Sequence, residues 1–142
     1  MVEESEINIK ILKQASKIIV AFMLSFAFFI QLQGTETSGG GFQAGAIGAT
    51  CLILYSVSNK KFKKQIPKLE RIFEIIGSFG ILIYLFMSIA PIFFDYKSLD
   101  LGFLSIFTSY KPYKIGIEII EIGILANVFS ALCTIFLKLK SD

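Results

Sequence analysis

Four long apolar blocks, with the charge clusters set between and around them, constrain this chain more than any motif it carries. A helix crosses the hydrocarbon core of a bilayer with about 20 mostly apolar residues. The blocks run from about Ala15 to Leu32, Gly40 to Val57, Ile72 to Phe94 and Tyr113 to Leu137. The first has no acid or base after Lys17, the second has no charge at all, and the third carries Glu74 only at its start. Hydrophobic residues make up 54% of the 142, more than the roughly 45–50% usual for soluble domains. The reading is an all-α integral membrane protein with four transmembrane helices, and the length fits one membrane domain over residues 1–142.

The segments between blocks give an orientation. "NKKFKKQIPKLER" holds Lys60, Lys61, Lys63, Lys64, Lys68 and Arg71; Lys10, Lys13 and Lys17 precede the first block, and Lys138 and Lys140 follow the last. The first loop has one acid, Glu36, and no base. Basic residues mark the cytoplasmic side. All three basic regions share a side only with four spans, which places both termini in the cytoplasm. The start, "MVEESEINIKILKQASK", holds Glu3, Glu4 and Glu6, and no small-residue cleavage site follows the first block. That block is therefore expected to be a retained span rather than a signal peptide.

The composition excludes much chemistry. Histidine is absent, which removes the commonest proton carrier near pH 7 and the commonest metal ligand. Cys51 and Cys133 lie inside apolar blocks and are expected to act as small buried side chains, unpaired and without metal-type spacing. No nucleophile–base pair, phosphate loop or metal cluster is legible. The expectation is a non-enzyme with no cofactor and no metal. The net charge of +3 is small and gathered near block ends, which fits a topology signal and not nucleic-acid binding.

The loop from Asp95 to Pro112 is external in this scheme, flanked by Tyr96, Tyr110 and Tyr113 at headgroup level. Lys111-Pro112 reads as the start of the fourth helix, and Pro91 as a bend or end of the third. "LGFLSIF" is too short to span and is expected on the external surface or against a partner. Arg71 and Glu74 are spaced to pair along a helix.

The first loop runs "GTETSGGGFQAGAIGA" into the second block. Gly41 and Gly45 form a G-x-x-x-G pair, with Gly48 three residues on. Along a helix they make a flat strip where another backbone can come close. That backbone belongs either to this chain or to a neighbouring subunit. Three consecutive glycines, Gly39, Gly40 and Gly41, weaken a helix and suit a tight non-helical entry at the membrane face, tolerated where protein or water covers it.

These residues resemble the signature of the MrpB/MnhB family, small membrane subunits of the multi-subunit Na+/H+ antiporters, which usually reads G-H-N-x-P-G-G-G-F-x-x-G. Gly34, Gly39, Gly40, Gly41, Phe42 and Gly45 match; Thr35, Glu36 and Ser38 stand where His, Asn and Pro are usual. The four-span layout and the acid before a glycine in "EIIEIGILANV" agree as well. The resemblance implies a small subunit that assembles with other membrane subunits in the bilayer and handles Na+ or H+ with them. Related modules occur in membrane-bound hydrogenases and ferredoxin-linked complexes.

The fourth block holds Glu118, Glu121 and Asn127. Acids inside a membrane helix are costly and face protein or water, so they are candidates for an ion path. Glu118 and Glu121 are three apart and share a face. In the first turns of a helix they are also explained by its positive N-terminal end, and Asn127 by a hydrogen bond between helices. The leading expectation is an integral subunit of a cation/proton antiporter complex in a prokaryotic plasma membrane. It would pack on neighbours through the glycine strip and help line an ion path with Glu121. The alternatives are a hydrogenase-type module subunit, a four-span homodimeric exporter, which would usually keep a key acid in its first span, and a purely structural assembly subunit.

Overall fold

The computed structural model describes residues 2–36, 39–58 and 66–141. Lys60, Lys61, Lys63 and Lys64 of the basic loop, and Ser38 of the glycine motif, lie outside the described residues. Among the described residues four α-helices follow in order: α1 (Val2–Gln33), α2 (Gly41–Ser58), α3 (Ile66–Ile89) and α4 (Pro112–Ser141). Short 3-10 turns at Ala90–Phe94 and Leu101–Ile106 stand between the last two. Among the described residues the stretches long and apolar enough to cross a membrane are Ile11–Gln33, Gly41–Ser58, Lys68–Phe94 and Pro112–Lys140. The four expected blocks fall on these stretches.

Local chemistry explains the boundaries. Pro112 opens α4, where its missing N–H is no loss. The α-helical part of α3 stops two residues before Pro91, whose ring and missing donor disfavour a continued α-helix. The chain tightens into a 3-10 turn there and leaves it through Asp95 at a φ of 63°. α1 extends well before the expected start of the first span, because the polar "EESEINIK" stretch lacks any helix breaker.

α1 packs on α2, α2 on α4, and α4 on α3. α4 is thus the central helix, touched by α2 on one face and by α3 on another. Ala49 of α2, Phe73 of α3, and Cys133 and Leu137 of α4 form one buried cluster. The Phe73 and Phe129 rings meet edge to face at 5.6 Å, and the Ser130 hydroxyl donates to the Phe73 carbonyl. The Lys140 ammonium donates to the carbonyl oxygen and hydroxyl of Ser56 at 3.1 and 3.0 Å, satisfying acceptors at the C-terminal end of α2.

Two local expectations change. "LGFLSIF" does not simply rest outside. Asp100 accepts the Gly102 N–H at 2.9 Å, and the turn it starts buries Leu101 and Phe103 against Met87 and Ala90 of this chain. Only its end, with Ile106 and Phe107, stays exposed. Glu74 pairs with Lys138 of α4 at 3.7 Å rather than with Arg71, because close α3–α4 packing brings the two helix ends together.

Candidate functional site

The length mismatch between α2 and α4 sets the site's position. At about 1.5 Å per residue, the 18 residues of α2 span about 27 Å and the 30 of α4 about 45 Å. Lys140 against Ser56 fixes one end of the pair. At the other, Gly41, the first residue of α2, lies against the backbone of Glu121 and Leu125. About 14 Å of α4, from Pro112 to Glu121, therefore extends past the start of α2. Glu121 sits at the level where α2 begins, with the turn from α1 laid across it.

The glycines make that arrangement sterically possible. A β-carbon on Gly34 would meet the Glu121 carboxyl carbon at 2.6 Å, and one on Gly40 would meet Glu121 Oε1 at 2.6 Å. A β-carbon on Gly41 would collide with the Glu121 carbonyl oxygen and stand 3.0 Å from the Leu125 amide nitrogen. Gly40 also has a φ of 73°, a left-handed conformation that L side chains rarely adopt. Gly34 and Gly40 thus make room for the Glu121 carboxyl, and Gly41 for its backbone. Deeper in α2, a β-carbon on Gly45 would be 2.8 Å from the Leu125 carbonyl oxygen, and one on Gly48 3.4 Å from the Phe129 ring. The strip expected to admit another backbone meets this chain's own α4. A neighbouring subunit must use other surfaces, because α4 already fills this one. The remaining motif residues do not reach Glu121: Gly39 faces Gln43 and Ile30, and Phe42 is 63% exposed.

Glu121 Oε2 is buried and has no hydrogen-bond partner among the described residues; the same holds for Gln31 Oε1 and Thr35 Oγ1. Gln31 and Thr35 belong to the turn that holds Gly34, whose N–H donates to the Gln31 carbonyl at 3.4 Å. The charge pattern singles out neither, because an uncharged side chain at a helix end looks like ordinary interface polarity. It passes over Lys114 as well. Lys114 donates to Glu36 at 2.7 Å and ties the turn to the projecting start of α4. The Lys114 hydrogen bond and nearby positive charge hold the Glu36 carboxyl below the usual carboxylate range.

Glu118 lies one turn before Glu121, half-buried. Asn127 is on the side of α4 that faces α3, where its Oδ1 would stand 3.8 Å from a β-carbon on Gly77. It lines a separate groove with Glu74, Ser78, Ser130, Thr134 and Lys138. The three polar candidates of α4 therefore do not form one site. Among the described residues no group of three or more His, Cys, Asp or Glu side chains could hold a metal ion.

The family described as "Domain related to MnhB subunit of Na+/H+ antiporter" matches residues 11–134. Similar proteins include "Putative antiporter subunit mnhB2" of Staphylococcus aureus strains Newman, USA300 and COL. Each is 27% identical over 143 aligned positions, covering 94% of this chain and 95% of the relative. No solved structure matches. The match takes in the glycine-rich turn, all of α2 and Glu121, and the chain belongs to the family of domains related to the MnhB subunit of Na+/H+ antiporters.

Proposed function

We propose that this chain is an integral subunit of a multi-subunit Na+/H+ antiporter in a prokaryotic plasma membrane, and that Glu121 is its contact with the transported ion. It acts as part of a transporter and not as an enzyme. Family membership over residues 11–134 supports the subunit role. The observation that carries the ion contact is the Glu121 carboxyl, seated under the family's glycines with one oxygen buried and unpartnered among the described residues. A carboxyl at membrane depth is costly to keep unless it works against protein, water or an ion. Glu118, one turn nearer the start of α4, would pass an ion between Glu121 and the surface.

The other membrane subunits would cover α1, whose apolar stretch is only 11% buried, against 33% for α2. Phe22 and Phe28 stand out from it, 74% and 66% exposed. Both termini are assigned to the cytoplasmic side by the basic ends of the helices.

Two measurements test this. Mild-detergent purification through a tag on this chain should bring further membrane subunits with it. Vesicles from cells lacking their own antiporters should show Na+-driven proton exchange with the native complex and little with Glu121→Gln. Full exchange by an intact Glu121→Gln complex would reduce Glu121 to a structural residue.

A further inference from the structure

We infer that Glu121, Gln31 and Thr35 are the side-chain ligands of one largely dehydrated alkali cation, of which Na+ is the physiological choice, held at the start of α2. This rests on the reading of Glu121 as an ion contact and names its companions. Four buried side-chain oxygens lack a hydrogen-bond partner among the described residues: Gln31 Oε1, Thr35 Oγ1, Glu121 Oε2 and Thr134 Oγ1. Three of them belong to one corner. Gln31 and Thr35 flank Gly34 in the turn closing α1, and the space for a side chain on Gly34 is taken by the Glu121 carboxyl. Leaving each buried acceptor unsatisfied costs about 1–3 kcal/mol, so three together point to one missing positive partner rather than three separate faults.

The Lys114 ammonium does not fill that role. Lys114 is engaged by Glu36 at 2.7 Å, on the outer side of the turn. The donor set is a carboxylate, an amide carbonyl and a hydroxyl, all oxygen, which selects hard cations over soft ones. One carboxylate among neutral oxygens balances a single charge, whereas Ca2+ sites gather six to eight oxygens, several of them carboxylates. Gln31 lies in the last turn of α1, whose end carries negative partial charge and favours a cation. The absence of side chains at Gly34 and Gly40 lets the turn close down over the ion.

The test uses the whole complex in vesicles from antiporter-deficient cells and reads the Na+ concentration giving half-maximal exchange, with complex abundance checked on native gels. Thr35→Val and Gln31→Leu should each raise that concentration about tenfold while sparing the maximal rate, and Thr35→Ser should restore it. Equilibrium binding of radioactive Na+ to the purified complex should weaken in parallel. If Thr35→Val lowers the amount of complex, Thr35→Ala carries the same expectation. Unchanged Na+ dependence in both variants, with Glu121→Gln inactive, would overturn the cation site and leave Glu121 as an ion contact. Undiminished exchange by Glu121→Gln would remove both.

Discussion

Gly40 and Glu121 share one space: the carboxyl oxygen Oε1 lies 2.6 Å from where a β-carbon of Gly40 would stand. Gly41, the next residue, is as close to Glu121 but meets its backbone. Adjacent glycines therefore separate two roles. Gly40→Ala takes on a left-handed φ, about 1–2 kcal/mol, and moves the flexible end of a side chain. Gly41→Ala must push two helices apart, an overpacking of about 1–3 kcal/mol or more. The expectation is that Gly40→Ala assembles but exchanges poorly, whereas Gly41→Ala lowers the melting temperature of the detergent-solubilised complex. Equal loss of assembly in both would mean that the carboxyl has no freedom to move.

Deeper in the contact, Gly45→Leu should separate α2 from α4, because the Leu125 carbonyl oxygen is 2.8 Å and Val128 Cβ 3.2 Å from the first added carbon. Phe42→Leu is the suitable control, since Phe42 is exposed. Ala27 would be a poor one, being only 7% exposed. Trypsin should cut the Gly45→Leu protein faster than the Phe42→Leu protein.

The Glu36–Lys114 pair makes a pH-dependent contribution to stability. Lys114 depresses the folded pKa of Glu36, while the unfolded value stays at about 4.3. The stabilisation is complete above the unfolded value and disappears as pH falls through the lower folded one. Thermal melts between about pH 3 and 6 should show a slope that Glu36→Gln reduces. A slope identical in both proteins would count against the pair. Because Glu36 is exposed, the full contribution, present at neutral pH, should be small.

At the opposite end, two lysines two residues apart should behave differently. Lys140 donates two hydrogen bonds to Ser56, a buried residue, and Lys140→Met should destabilise by about 1–2 kcal/mol. Lys138 meets Glu74 at 3.7 Å with both side chains more than half exposed, so Lys138→Met should stay within about 0.5 kcal/mol of native. Denaturant titration of the two variants would rank them.

The orientation can be checked by cysteine labelling. Glu36→Cys and Lys97→Cys should react with a membrane-impermeant thiol reagent from outside intact cells. Cys51 and Cys133 are 2% and 0% exposed, so native background should be low. Labelling only after the cytoplasmic face is opened would invert the topology.

The spans were legible because membrane helices announce themselves by length and lack of charge, and nothing in the packing could move those limits far. Pro112 and Pro91 were legible because proline acts locally. The partner of the glycine strip was not. A strip of small residues says that a backbone comes close, but the same strip serves α4 of this chain and a neighbouring subunit equally well. Gln31, Thr35 and Lys114 escaped for a related reason. Their meaning comes from Glu121 and Glu36, more than 75 residues away along the chain in each case, and no local pattern encodes that distance. Asn127 looked like a companion of Glu121 because both are polar and close in sequence. Six residues amount to about 600° of helical turn, one full turn and about 240° more, which leaves them about 120° apart, Glu121 towards α2 and Asn127 towards α3.

The α2-facing and α3-facing sides of α4 matter mechanically. On one, Gly41 and Gly45 touch the α4 backbone; on the other, a β-carbon on Gly123 would be 2.9 Å from the Gly80 carbonyl oxygen. α4 is approached closely at its main chain on both flanks, by Gly41 and Gly45 of α2 and by Gly80 of α3. Rolling it about its axis would jam against one neighbour or the other. The three helices α2, α3 and α4 should therefore shift as one stiff plate, and a push received at the outer edge of α3 would arrive at Glu121 largely undamped.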